Sequence, residues 1–175
     1  MTLFSIWKFV QRKCSCIGNR QYRSYFWTTR DIREVQYKDT KPFIPYITTC
    51  KVIKVYDGDT ITIASKLYPD SPIYRFSVRL RGIDTPEIKA NNENEKLHAL
   101  KAKHFVEARI LNKIIMLKDI NTEKYGRLLA DVYMEDGNCL NTLIVESGLA
   151  VPYDGGKKII PPEWHEVPEL MENQY

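Results

Sequence analysis

Carboxylates and guanidinium groups recur in three short clusters between Asp57 and Arg127. The first is Asp57-Gly58-Asp59-Thr60, a tight turn between two strands that leaves a carboxylate at the start of the second. Alone it reads as an ordinary Asp-Gly hairpin turn. The second, Arg79-Leu80-Arg81-Gly82-Ile83-Asp84-Thr85-Pro86-Glu87, runs the polar face of a strand directly into an acid, a proline and a second acid. Pro86 fixes its own φ and pushes Thr85 into an extended state, so Asp84 and Glu87 keep a defined mutual orientation. Asp59 and Asp84 together supply the hard oxygen ligands that Ca²⁺ or Mg²⁺ requires, which leaves Glu87 to act as a base. Without its neighbours Arg79 is just one of three arginines on a wetted strand face. The third cluster is Lys124-Tyr125-Gly126-Arg127, where glycine lets the loop turn and presents a second guanidinium. Its charged and aromatic members are types that contact a phosphate and stack near a base or sugar.

These clusters must be held by a scaffold, and the hydrophobic pattern describes one. Strands are expected over Cys50 to Tyr56, Thr60 to Ala64 and Tyr74 to Ile83, with Pro69-Asp70-Ser71-Pro72 as the turn before the third. In that third strand Tyr74, Phe76, Val78 and Leu80 alternate with Arg75, Ser77, Arg79 and Arg81, the signature of a sheet with one buried face. A polar loop leads to a helix from about Glu95 to Leu111, with Leu97, Leu100, His104, Ala108 and Leu111 on one stripe. His104 then reads as a packed side chain. Strands at Ile114 to Ile120 and Leu128 to Met134 follow, and Asn138 is placed to cap a helix that runs to Ser147 and stops at Gly148. Five strands with a helix after the third and another after the fifth predict an α+β fold, a five-stranded OB-type β-barrel with two to three packed helices.

The chain carries a formal charge of +4, but residues 1 to 30 hold six basic side chains and no acid, so the remainder is about −2. Any grip of the main domain on a polyanion must therefore come from local groups rather than from its overall field. Cysteines at 14, 16, 50 and 139 do not form a disulfide framework. Zinc is disfavoured, since Cys14-Ser-Cys16 lacks a two-residue spacer and His98 and His104 lie six apart. The apolar, aromatic opening is interrupted by Lys8 and falls short of the ~20 residues of a transmembrane helix. It fits either an organelle transit peptide or a membrane-surface helix beside two acylatable cysteines, or else a disordered basic leader. No secretory signal is evident, and an intracellular location is expected. The division is a basic aromatic leader and linker over 1–45, a folded domain over 46–153 and a proline-containing tail over 154–175.

In order and spacing the three clusters resemble the staphylococcal nuclease family, the thermonucleases. The similarity runs over roughly residues 47 to 153 and takes in Phe105-Val106-Glu107-Ala108 and Ser147-Gly148-Leu149-Ala150. The resemblance implies that Asp59 and Asp84 are calcium-ligand carboxylates and that Thr85 adds its backbone carbonyl. It implies catalytic roles for Arg79, Arg127 and the general base Glu87, and contacts of Lys124 and Tyr125 with a terminal phosphate. Tyr153 is the nearest match to an aromatic residue that packs on the nucleotide, although its spacing is one residue shorter and Pro152 precedes it. The family's long charged C-terminal helix is also missing. Here the chain turns through Asp154-Gly155-Gly156 and passes Pro161-Pro162, leaving room only for a short helix carrying Trp164, Val167 and Leu170.

The expectation is a monomeric, calcium-dependent endonuclease of low sequence specificity acting on DNA or RNA. Water activated by Glu87 attacks phosphorus in line, and the resemblance implies that the P–O5′ bond breaks to leave 3′-phosphate ends. The alternatives are a non-catalytic nucleic-acid- or protein-binding module of the same OB-type fold, and an adaptor that docks on a membrane surface through residues 1–30. Asp59, Arg79, Asp84, Glu87 and Arg127 are all present, which favours the enzyme over a binder that has lost its acids and arginines.

Overall fold

The computed structural model describes residues 32–123, 125–156 and 160–166. The basic leader, Lys124, Val167 and Leu170 lie outside them. Residues up to Lys41 make one unit and Pro42 begins another. In the first, single 3-10 turns span Ile32–Glu34 and Tyr37–Asp39.

The second unit is built on a closed barrel. Strands β1 (Thr49–Val55), β2 (Thr60–Ser65) and β3 (Tyr74–Leu80) form an antiparallel meander. A two-residue strand, β4 (Ile83–Asp84), precedes helix α1 (Glu93–Ile110). Strands β5 (Ile114–Thr122) and β6 (Leu128–Tyr133) come next, then helix α2 (Leu140–Glu146) and a short β7 (Val151–Pro152). The barrel order is β1-β2-β3-β6-β5, closed by β5 against β1. Its one parallel seam joins β3 to β6, with Arg79 opposite Leu129. This is the five-stranded α+β barrel that the strand and helix order predicts. Inward positions of β2, β3 and β6, among them Ile61, Ile63, Val78, Leu80, Ala130 and Val132, are fully buried, so alternation along each strand fills the lumen with branched side chains. Among the described residues no helix is long and apolar enough to cross a membrane.

Several local expectations are corrected. The third strand does not continue to Ile83. It ends at Leu80, and Gly82 (φ +76°) turns the chain so that Ile83 and Asp84 leave the barrel and pair with Pro152 and Val151 of β7. Only a residue tolerant of positive φ permits that departure. Helix α1 buries Ala99, Ala102, Val106 and Ile110, whereas Leu97, Leu100, His104 and Ala108 are exposed. The physical reason lies at Gly58. A Cβ there would sit 2.8 Å from that of Ala102 and 2.9 Å from Thr85 Cγ2, so only small side chains fit between helix and turn. His104 is thus not a packed side chain. Asn138 does not cap α2. Its backbone N–H and side-chain amide donate to the Asp136 carboxylate at 2.9 and 3.0 Å, and Cys139 occupies the cap position without a side-chain bond.

After β7 the chain returns to α1. A 3-10 turn, Pro162–His165, buries Trp164 to 2% exposure, and Asn94 Nδ2 donates to the His165 carbonyl at 2.7 Å. Of the short helix foreseen for the tail, the described residues form this one turn, which His165 ties to Asn92 and Asn94 at the start of α1. Cys50 is buried and Cys139 half-buried, and neither is bridged.

Candidate active site

Three neighbouring strands bring the sequence-distant clusters together. Thr60 on β2 pairs with Arg79 on β3, and β3 pairs with the start of β6, immediately after Arg127. At this rim one guanidinium nitrogen, Arg79 Nη2, lies 2.8 Å from Asp59 Oδ2 and 2.8 Å from Asp84 Oδ1. The two carboxylate oxygens are therefore at most twice that distance apart. Both aspartates are buried, at 3% and 6% exposure. Asp59 is held from both sides: its Oδ1 accepts from the Thr60 hydroxyl at 2.8 Å, and Arg127 Nη1 reaches that same hydroxyl at 3.5 Å. Arg127 is oriented by Glu123, whose carboxylate accepts from Nε at 2.7 Å and raises the arginine's pKa above its ordinary value.

Burial is the main reason the Asp59 carboxyl is pushed up to about 7, and the neighbouring charge of Asp57 adds to it, against the lowering effects of Arg79 and the Thr60 hydroxyl. Removing a carboxylate from water disfavours its charged form, and a second acid nearby compounds the cost. Positive charge in addition to Arg79 would relieve both.

These groups line a cleft of about 560 Å³ that also takes in Thr85, Pro86 and Glu87, together with Lys54, Tyr56 and Lys103. Pro86 is fully buried while Glu87 is exposed. The glutamate therefore emerges from a rigid base. Its own backbone N–H lies 3.4 Å from Glu95 Oε1, a contact that ties the segment to the first turn of α1. Of the expected site residues, Asp59, Arg79, Asp84, Thr85, Glu87 and Arg127 are gathered around this cleft. Tyr125 and Tyr153 are not among its lining. Tyr125 is exposed on the β5–β6 loop, and the Tyr153 hydroxyl donates to the Gly156 carbonyl at 3.0 Å. Thr60, Glu123 and Glu95 have no role in the sequence reading. Thr60 adjoins Asp59 in the first cluster, whereas nothing in the sequence ties Glu123 or Glu95 to their partners.

The donor set suits a hard cation, because two buried carboxylates converge on one point and already share a positive group there. Among the described residues no three Asp, Glu, His or Cys side chains gather in a metal-holding arrangement. A cation here would rest on Asp59 and Asp84, with carbonyl and water oxygens completing its shell.

Comparisons with known proteins agree with the barrel. The pattern of the family described as staphylococcal nuclease homologue matches residues 77–170, more than half of the chain. The thermonuclease of Staphylococcus hyicus is 33% identical over 104 residues, covering 58% of this chain and 57% of its own. A probable endonuclease of Schizosaccharomyces pombe is 30% identical over 95 residues, 49% of this chain and 40% of its own. An uncharacterised protein of Methanocaldococcus jannaschii is 34% identical over 126 residues, 59% and 58% respectively. The chain belongs to the staphylococcal nuclease family. It spans between 40% and 58% of the length of these relatives.

Proposed function

We propose that this chain hydrolyses phosphodiester bonds of DNA or RNA as an endonuclease dependent on a divalent cation, with calcium the first choice. The observation that carries the reading is the sharing of Arg79 between Asp59 and Asp84 in a cleft that also presents Arg127 and Glu87. A calcium ion held by Asp59 and Asp84, with the Thr85 carbonyl as a further ligand, would neutralise charge on the substrate phosphate. Arg79, on β3, and Arg127, just before the adjacent β6, bind the equatorial phosphate oxygens as negative charge builds in the in-line transition state. A guanidinium matches that geometry with paired N–H groups, which an ammonium cannot do. Glu87 accepts a proton from the attacking water, directly or through a second water, and breaking the P–O5′ bond leaves a 3′-phosphate. No covalent intermediate is needed. Contacts made to phosphate carry little sequence information, so low base selectivity follows. Lys124, Tyr125 and Tyr153 are assigned to the periphery of the bound nucleotide, on the strength of the family pattern.

Digestion of single-stranded DNA with added Ca²⁺, with EGTA, and with Mg²⁺ alone tests the proposal. Cutting is expected with Ca²⁺ and none in chelator, and cleavage that persists in EGTA refutes the metal assignment. Absence of cutting under every condition favours a binding module of the same fold.

A further inference from the structure

One wall of the cleft is made by residues that the hydrolytic scheme does not use. Strand β1 carries a bulge: Val52 pairs with Ile63 and Lys54 with Thr62, so Ile53 is passed over. Side chains alternate along a strand, and one extra residue reverses which of them face inward. Accordingly Val52 and Val55 are buried, while Ile53, Lys54 and Tyr56 face out. Had the strand run regularly from Val52, Lys54 and Tyr56 would point into the barrel. The bulge instead sets both on the wall of the cleft that contains Asp59, Arg79 and Arg127. The Lys54 ammonium stands 5.8 Å from the centroid of the Tyr56 ring, and that tyrosine is 49% exposed. From α1, Lys103 lines the same cleft.

An exposed aromatic ring beside an ammonium group is what an unpaired nucleotide calls for: a platform for the base and a charge for its phosphate. The placement matters here because residues 31 to 175 carry a formal charge of about −2, so no general field draws a polyanion to this rim. A base inside a duplex has no face to offer such a ring.

We infer that Lys54 and Tyr56 form a subsite for the nucleotide next to the scissile phosphate, with Tyr56 stacking on its base and Lys54 holding its outer phosphate. The inference rests on the phosphodiesterase reading, and its test separates the two. Initial rates are measured on a single-stranded oligothymidylate and on a nitrophenyl phosphodiester of a single nucleoside, which has no neighbouring nucleotide. In Tyr56→Ala the ratio of kcat/KM for the first over the second should fall by about 5- to 100-fold, the range that stacking of one base corresponds to. Tyr56→Phe, which keeps the ring, should stay near the wild-type ratio. Lys54→Ala should reduce the slope of log affinity against log salt by about 0.7, as for one lost phosphate contact on a single strand. An unchanged ratio in Tyr56→Ala, whether both rates fall together or neither moves, overturns the subsite. If the wild-type chain cleaves neither substrate, the phosphodiesterase reading fails. Anisotropy of a labelled oligothymidylate then decides the subsite alone, and equal affinity of wild type and Tyr56→Ala overturns it.

Discussion

Arg79 presents one nitrogen to two buried aspartates, a contact that does two jobs: it compensates charge in the resting protein and lies beside the place proposed for the phosphate. Arg79→Lys and Arg127→Lys keep the charge and lose the fork, and each should lower kcat roughly 10²- to 10³-fold. Glu87→Gln should lower it roughly 10²- to 10⁴-fold, the worth of a general base, and near-normal turnover would take Glu87 out of that role. Both are read from initial rates on single-stranded DNA. Asp59 gives a prediction about stability. Its carboxyl is pushed up to about 7, above its unfolded value of 3.8, so between these pH values the folded state holds a proton that the unfolded state has lost. Stability of the metal-free protein should therefore fall as pH rises from about 4 to about 7, by an amount on the order of a few kcal/mol. Urea midpoints in EGTA at pH 5 and pH 8 measure the drop, and Asp59→Asn, uncharged throughout, should lose that share of it. The acids and arginines of this rim are legible in the sequence only together, as three clusters whose order and spacing resemble the nuclease family. The partners that orient them are not. Thr60 bridges Asp59 and Arg127 through a hydroxyl whose geometry exists only once two strands and a loop meet.

Helix α1 meets the Asp57–Asp59 turn through a small residue, Ala102. The approach of Ala102 to Gly58 leaves no space for a methyl group, and Thr85 closes the same gap. Gly58→Ala should consequently shift the Asp57–Asp59 turn against α1 and Thr85. Activity with saturating Ca²⁺ is expected to fall by more than tenfold, with overpacking costing about 1 to 3 kcal/mol of stability in denaturant unfolding. A drop in stability with full activity would show that the turn has slack. The strand periods are legible in the sequence because half-buried strands alternate. The buried stripe of α1 is not, because the usual guide, large apolar side chains, points to Leu97 and Leu100, which the close helix–turn packing leaves exposed. The break after Leu80 leaves a trace in the sequence: Ile83 falls on the polar phase of Arg79 and Arg81, out of step with the alternation, because Gly82 redirects the chain to β7.

Across the whole molecule, the described part of the tail buries one indole, that of Trp164. Trp164→Ala should cost about 3 to 5 kcal/mol, read as a lowered urea midpoint, and a change below about 1 kcal/mol would mean that the turn at Pro162–His165 contributes little to the fold. The strand order was readable from periodicity, but the docking of this turn on α1 depends on contacts more than sixty residues apart, such as Asn94 with His165. The parallel seam between β3 and β6 has a further consequence. It joins Val78 to Leu128, fifty residues further along the chain, and it sets Arg79 beside the start of the strand that Arg127 precedes. Pairings of that range are entropically expensive and tend to form late in folding. A nascent chain still lacking its sixth strand owns both aspartates and both arginines of the site, yet has no rim on which to assemble them. The arrangement proposed for catalysis thus belongs to the closed ring as a unit, since its parts meet only where β2, β3 and β6 lie side by side.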